Sequence, residues 1–464
     1  MAMKYVSTRG QATPVDFVQA CLTGLAPDGG LYVPETWPQI APAHANESYV
    51  EIATRILKAF AGDALSADDI QGLCERAYAS FSHQAVTPLV QSGANQFVME
   101  LHHGPTLAFK DVAMQFIGQL YDLVLSRRGE RMSVVCATSG DTGGAAAAAF
   151  AGASQVDLYI LHPHERVSPV QRLFMTTTGA ANVHNLAVQG DFDDCQTLVK
   201  AMFADTGFAS EVCLSGVNSI NWARIAAQSV YYAAAQAAVG PGRPIRFVVP
   251  SGNMGDAFAG YVAARCGLLA GFELVCAVNE NKTLATLLDS GEMRREQAVA
   301  TPSPAMDISV PSNFERLFFE TAGRNGDTVR RTYEQYQQAK AASLPDQVRG
   351  ALGCTGIRAD MVDNAETLTE MRRFQQETDS LICPHTAVGT AVARRLPESE
   401  ACTVILATAH AAKFPETVLQ ATERDAPLPA RCAVLRDRGE AFDHIDNDLS
   451  AVKDYIRSNM AVEA

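Results

Sequence analysis

The sequence predicts an α/β fold with parallel sheet, in two or three packed units. Three observations carry this reading. Short apolar runs alternate with longer amphipathic segments through most of the chain. At 464 residues the chain is too long for one ordinary domain. Only 19% of residues are charged against 47% hydrophobic, so much of the chain must be buried, and dominant disorder is excluded.

Taken in order, residues 1–40 read as irregular, with turn signals at Pro27-Asp28-Gly29-Gly30 and at Pro34. Residues 46–82 read as helices, because Tyr49, Ile52, Ile56, Leu57 and Phe60 recur at helical spacing and 68–78 repeats the pattern. Buried strands are then predicted at 97–101, 132–137, 156–161, 183–188, 245–250, 274–278, 402–407 and 432–435. Helices are predicted at 111–127, 142–152, 194–205, 222–239, 256–266, 367–377 and 386–394. The more polar stretch 289–350, with prolines at 302, 304 and 311, reads as an insertion or surface helices.

Charge and cysteines exclude several classes. The formal net charge of −14 disfavours a protein that works by neutralising nucleic-acid phosphates. The 11 cysteines are scattered with no C-x-x-C, which fits buried thiols in a reducing compartment and neither a zinc ribbon nor a dithiol. Residues 1–10 lack the apolar segment of a secretory leader, and no apolar run reaches the ~20 residues of a membrane span. A cytoplasmic location without membrane contact is the expectation. No metal site is expected either: Cys383-x-His385 lacks a second ligand pair, and His385 and His410 read as satisfied side chains beside a cleft.

Chemistry is concentrated in three loops. In His102-His103-Gly104-Pro105-Thr106-Leu107-Ala108-Phe109-Lys110-Asp111, Lys110 stands at the start of a helix, where the macrodipole disfavours a cation. With partial burial, that lowers the amine pKa, as a lysine that attacks a carbonyl requires. A surface lysine beside a helix start is the alternative. In Ala137-Thr138-Ser139-Gly140-Asp141-Thr142-Gly143-Gly144, small residues after a strand leave free N–H groups for a carboxylate or phosphate; the alternative is a plain helix capped by Ser139 or Asp141. Pro250-Ser251-Gly252-Asn253-Met254-Gly255-Asp256 repeats that logic and is neither a Walker A loop nor a dinucleotide fingerprint; an empty tight turn is its alternative. One lysine and two anion seats together suit pyridoxal phosphate and an amino-acid substrate.

These loops, with Tyr5-Val6-Ser7-Thr8-Arg9-Gly10, Asp28-Gly29-Gly30-Leu31-Tyr32, Asn218-Ser219-Ile220-Asn221-Trp222-Ala223-Arg224, Cys383-Pro384-His385-Thr386-Ala387-Val388-Gly389 and Thr408-Ala409-His410-Ala411-Ala412-Lys413-Phe414, resemble the threonine synthase family in its long bacterial and fungal branch. The matches run in order over nearly the whole chain. Ala411 and Met254 depart from the proline and phenylalanine common there.

The resemblance implies a fold type II pyridoxal-phosphate enzyme with a mainly helical N-terminal region, 1–95, and its cofactor cleft between two open parallel-sheet α/β domains, 96–240 and 241–464. It also implies conversion of O-phospho-L-homoserine and water to L-threonine and phosphate, by γ-elimination and β-addition of water. By similarity Lys110 would hold the cofactor and shuttle protons. Asp141 would lie near its phenolic oxygen and Thr408 at its ring nitrogen. Ser251, Gly252, Asn253, Met254, Gly255 and Asp256 would hold its phosphate. Ser139, Gly140, Thr142 and Gly143 would face the substrate carboxylate. Ser219, Asn221, Arg224 and Lys413 are the candidates for the leaving phosphate; a helix capped by Ser219 or Asn221, followed by an exposed arginine, is the alternative. A serine or threonine dehydratase of the same fold, or a non-catalytic binding homologue, are the competing functions. A monomer or homodimer is expected.

Overall fold

The computed structural model describes residues 3–460; residues 1–2 and 461–464, at the outer ends of the first and last expected divisions, lie outside them. Two sheets dominate. The larger has six strands in the order Ile357–Met361, Phe272–Val278, Ile245–Pro250, Cys402–Ala407, Gln96–Glu100 and Leu89–Gly93, all parallel except the last. The smaller is wholly parallel, in the order Asp443–Ile445, Val183–Val188, Val156–Pro163, Met132–Ala137 and Leu214–Gly216. Their central strands are near-continuous apolar runs, as a sheet covered on both faces requires.

The sheets do not follow the expected divisions. Gln96–Glu100 pairs with Cys402–Ala407 in the larger sheet, although the helix after it, Lys110–Arg128, packs beside Asp141–Phe150 of the smaller unit. Asp443–Ile445 returns from the far end of the chain to the smaller sheet, and Val452 and Ile456 of the helix Leu449–Asn459 pack on Leu198 and Met202. Boundaries at 96 and 241 therefore cut through strand pairings.

Four local expectations are corrected. Residues 1–40 are not irregular: Tyr5–Ser7 and Tyr32–Pro34 form an antiparallel pair, with the helix Phe17–Thr23 between. Strands of three residues are too short to show a period. The predicted strand at 432–435 is helical, because Pro429 starts the helix Ala430–Ala433, and Cys432 packs on Leu107, Val170 and Phe174. An apolar run of four fits either period. The strands Leu89–Gly93, Leu214–Gly216, Ile357–Met361 and Asp443–Ile445 were not foreseen. Within 289–350, the helix Phe314–Thr321 is no surface helix; its first six residues are buried.

The N-terminal region is locked to this helix. Arg9 makes a bidentate pair with Glu315 at 3.1 and 3.0 Å, and Thr8 donates to the same carboxylate at 2.6 Å. Trp222 opens the long helix Trp222–Val239 and is ringed by Tyr5, Trp37 and Phe60. Among the described residues, no helix is long and apolar enough to cross a membrane, and no group of three or more His, Cys, Asp or Glu is placed to hold a metal ion. All eleven cysteines are free, and only Cys213 and Cys354 are exposed.

Candidate active site

The three glycine-containing loops converge where the sheets meet. Lys110 is the first residue of its helix and is buried. Its loop is stitched to the end of Cys402–Ala407: Phe109 N–H donates to the Thr408 carbonyl at 2.8 Å, and His410 N–H donates to the Leu107 carbonyl at 3.0 Å. Asp111 ties the loop internally by accepting from the Thr106 N–H (2.8 Å) and hydroxyl (2.6 Å). Gly104 is needed because a Cβ there would collide with the Asp111 side chain.

Lys110 Nζ lies 3.5 Å from Asp141 Oδ2, while Lys413 Nζ lies 2.8 Å from Asp141 Oδ1. Gln171 donates to Oδ1 as well, at 2.9 Å. Burial alone would raise the Asp141 pKa, but Lys413 and Lys110 reverse this and hold it well below the usual carboxylate range. Burial lowers the Lys110 amine below its ordinary value; Arg224 and Lys413 add to that, and Asp141 opposes it. Lys413, expected at the substrate phosphate, is 0% exposed and committed to Asp141 and the Thr106 carbonyl at 2.8 Å, so it leaves that set.

At the second loop neither Ser139 nor Asp141 caps the helix. Gly140 takes the cap position with φ 131°, and Thr138 Oγ accepts from the N–H groups of Gly140 and Gly143, both at 2.9 Å. The N–H groups of Ser139, Asp141 and Thr142 have no partner among the described residues. A cavity of about 230 Å³ opens beside Ser139, lined also by Arg166, Ser168, Gln171, Pro304 and Phe414.

The third loop keeps its backbone donors. The N–H groups of Gly252, Asn253, Met254, Gly255 and Asp256 have no partner among the described residues, and they open the helix Gly255–Arg265. Met254, not a glycine, takes the left-handed conformation, at φ 61°. Gly252 serves close approach instead: a Cβ would come within 2.9 Å of the Ala305 carbonyl oxygen. Two expected ligands change. Ser251 donates its hydroxyl to Val249 and its N–H to Ala277, leaving no donor free. The Asp256 carboxylate accepts from Tyr231 (2.5 Å) and Tyr232 (2.8 Å), so only its backbone N–H remains available. Asn253 Oδ1 accepts from Ser312, which leaves its Nδ2 to donate elsewhere.

The 218–224 segment divides between its two readings. Asn221 caps its helix by accepting from Ala223, and its amide donates to the Cys21 carbonyl and Tyr121; it is fully buried and leaves the substrate set. Arg224 is not exposed. It is 3% accessible, bonds only the Val217 carbonyl at 3.3 Å, and has an unpartnered Nε among the described residues. Burial pulls its pKa down to about 10, so it remains a cation; Asp256 acts on it through space, but no carboxylate bonds it among the described residues. His385 is half-satisfied: Nε2 accepts from Ala305, and Nδ1 has no partner among the described residues.

A buried lysine of lowered basicity, a loop of five backbone N–H groups without partners among the described residues and a guanidinium that no carboxylate bonds there fit pyridoxal phosphate as the bound group. The fold and site define a pyridoxal-phosphate-dependent enzyme of fold type II, and the family model described as pyridoxal-phosphate dependent enzyme matches residues 81–408. Models for the threonine synthase N terminus and C-terminal region match residues 4–78 and 386–456. A threonine synthase of Pseudomonas aeruginosa is 43% identical, with 98% of each chain covered. The crystal structure of pyridoxal-phosphate-bound threonine synthase from Brucella melitensis superposes with TM-score 0.95 at 46% identity, covering 99% of each chain. Yeast threonine synthase gives 0.92 at 35% identity, again with 99% of each chain covered. The chain belongs to the threonine synthase family.

Ser312, Asn313, Arg316 and Gln171, which bind the site loops, were missed. The long-range hydrogen bonds that enlist them leave no local pattern; Pro311 before a short amphipathic run was the only available signal.

Proposed function

We propose that the chain converts O-phospho-L-homoserine and water to L-threonine and phosphate. The reading rests most on Arg224, a buried guanidinium that no carboxylate bonds among the described residues, close enough to Lys110 to lower its pKa. Such a charge is costly to bury unless an anion completes it, and a phosphate ester does so.

Lys110 would hold the cofactor, take the protons that leave Cα and Cβ, and return one to Cγ and, once water has added at Cβ, one to Cα. Bound there, pyridoxal phosphate supplies the electron sink for these steps. The N–H groups from Gly252 to Asp256, with Asn253 Nδ2, would hold its phosphate. Thr408 would serve its ring nitrogen through a hydroxyl, which does not force that nitrogen to be protonated. Asp141 would serve its phenolic oxygen. Ser139 and Thr142 would face the substrate carboxylate with their free N–H groups, while Gly140 and Gly143, whose N–H groups are bonded to Thr138, shape the loop. Ser219 and Arg224 hold the leaving phosphate and stabilise it as charge develops.

Supplying purified protein with phosphohomoserine, and separately with threonine, tests the reading. Threonine and free phosphate from the first substrate support it. Ammonia and a keto acid from the second, with no phosphate from the first, overturn it in favour of a dehydratase.

A further inference from the structure

We infer that Asn313, clamped by Arg316, is a positioning residue that holds the cofactor-phosphate loop and the 218–224 loop in one register. Its amide nitrogen donates to the Ser219 carbonyl at 3.1 Å and the Asn253 carbonyl at 3.2 Å, one loop for each hydrogen. Its backbone N–H donates to the same Asn253 carbonyl at 3.0 Å. Ser312, one residue earlier, also touches both: its hydroxyl donates to Asn253 Oδ1 at 3.1 Å and lies 3.4 Å from the Ser219 hydroxyl. Gly255 brings the next helix against this amide, since a Cβ there would lie 3.2 Å from Asn313 Nδ2.

Arg316 fixes the amide from behind. It is 0% exposed and donates Nη1 to Asn313 Oδ1 at 2.5 Å, Nη2 to the Ile220 carbonyl at 2.6 Å and Nε to the Tyr32 carbonyl at 3.0 Å. Its guanidinium lies 5.7 Å from the centre of the Trp222 ring. A cation on the carbonyl end of an amide polarises it and strengthens donation from the other end. The planar fork reaches the N-terminal strand, Ile220 and Asn313 together, a geometry a lysine does not reproduce. Two phosphate-binding loops from different parts of the chain must agree to a fraction of an ångström if their donors are to stay within hydrogen-bond reach of what they hold.

The cofactor half of this inference rests on the family, and the substrate half on the proposed roles of Ser219 and Arg224. Asn313→Asp separates positioning from support. The carboxylate keeps the Arg316 contact and adds charge to it, yet it opposes two carbonyl oxygens with no hydrogen to give them.

The measurements are the pyridoxal phosphate Kd of the apoprotein by absorbance titration, KM and kcat for phosphohomoserine, and Tm. We expect Kd and KM each to rise about 10-fold or more, with kcat within roughly 3-fold and Tm nearly unchanged. Ser312→Ala, the milder variant, should raise both by roughly 3-fold and decides the matter if the first variant does not fold. Wild-type Kd and KM in the folded variants overturn the inference. So does a change confined to Tm, or to one of the two constants. A wild-type enzyme without phosphohomoserine turnover defeats the proposed function instead, which separates the two failures.

Discussion

Lys413 and Lys110 share one carboxylate, that of Asp141: Lys413 bonds one oxygen at 2.8 Å while Lys110 stands 3.5 Å from the other. Asp141 therefore keeps a cation beside it whether Lys110 is charged or neutral. Lys413→Met should leave Lys110 as the sole counterion, hold its amine protonated and shift covalent cofactor attachment to higher pH. Removing one partner from a buried pair should also cost about 3–5 kcal/mol of stability. Absorbance of the bound cofactor against pH, with urea unfolding, checks both; an unshifted profile sinks the argument.

Lys110→Ala should abolish the absorbance of covalently bound cofactor and all turnover. Its effect on Tm should be small, because Asp141 retains Lys413 and Gln171. Residual turnover above background would remove Lys110 from the chemistry.

Asn221 and Arg224 are one helical turn apart and should respond oppositely. Asn221→Ala removes a cap and leaves a buried phenol and carbonyl short of partners, so stability should fall by about 2–4 kcal/mol with KM little changed. Arg224→Met removes a buried charge that no carboxylate bonds among the described residues, so stability should hold or rise. Its KM for phosphohomoserine should increase roughly 10- to 100-fold, the worth of a hydrogen bond to a charged group. Denaturation midpoints and steady-state kinetics on both variants decide; unfolding with normal KM in the second would return Arg224 to a structural role.

Acid should destabilise the fold before its carboxylates titrate. Burial, with His410 beside it, pulls the His102 pKa down to about 3; burial pulls His385 and His410 down to about 4. The unfolded imidazoles titrate near 6.5. Between about pH 6.5 and 4 the unfolded chain binds protons that the folded chain refuses, so stability rises with pH, by about 1.4 kcal/mol per pH unit for each full proton. His162 and His184 are lowered in the same way. Burial raises Asp256 to about 6 and also raises Asp111 and Asp307, which oppose the trend where they titrate, but these are three groups against five. The urea midpoint should therefore drop from pH 7 to pH 5 at constant salt; a flat or rising midpoint contradicts this.

Much of the site was legible because its parts are local. Lys110 at a helix start and the two loops directly after the strands at 132–137 and 245–250 need only sequence neighbours to take shape. The roles of Lys413 and Asn221 were not legible, since each depends on partners far along the chain, Thr106 and Cys21 among them. Arg316 looked like one arginine of a polar stretch because its acceptors, Tyr32 and Ile220, are backbone carbonyls that leave no residue-type signal. The sheets themselves were partly hidden: a parallel strand carries the same apolar run whichever neighbour it joins, so nothing local assigns residues 96–100 to the larger sheet.

That assignment bears on how the protein matures. The loop bearing Lys110 docks on Thr408 and Ala409, some three hundred residues later in the chain. A ribosome must therefore finish nearly the whole polypeptide before the lysine has a platform. Contacts of such sequence separation also make for slow folding. Lys110 is seated late, after the loops at 139–143 and 252–256 have been made, so a half-made chain holds no finished site.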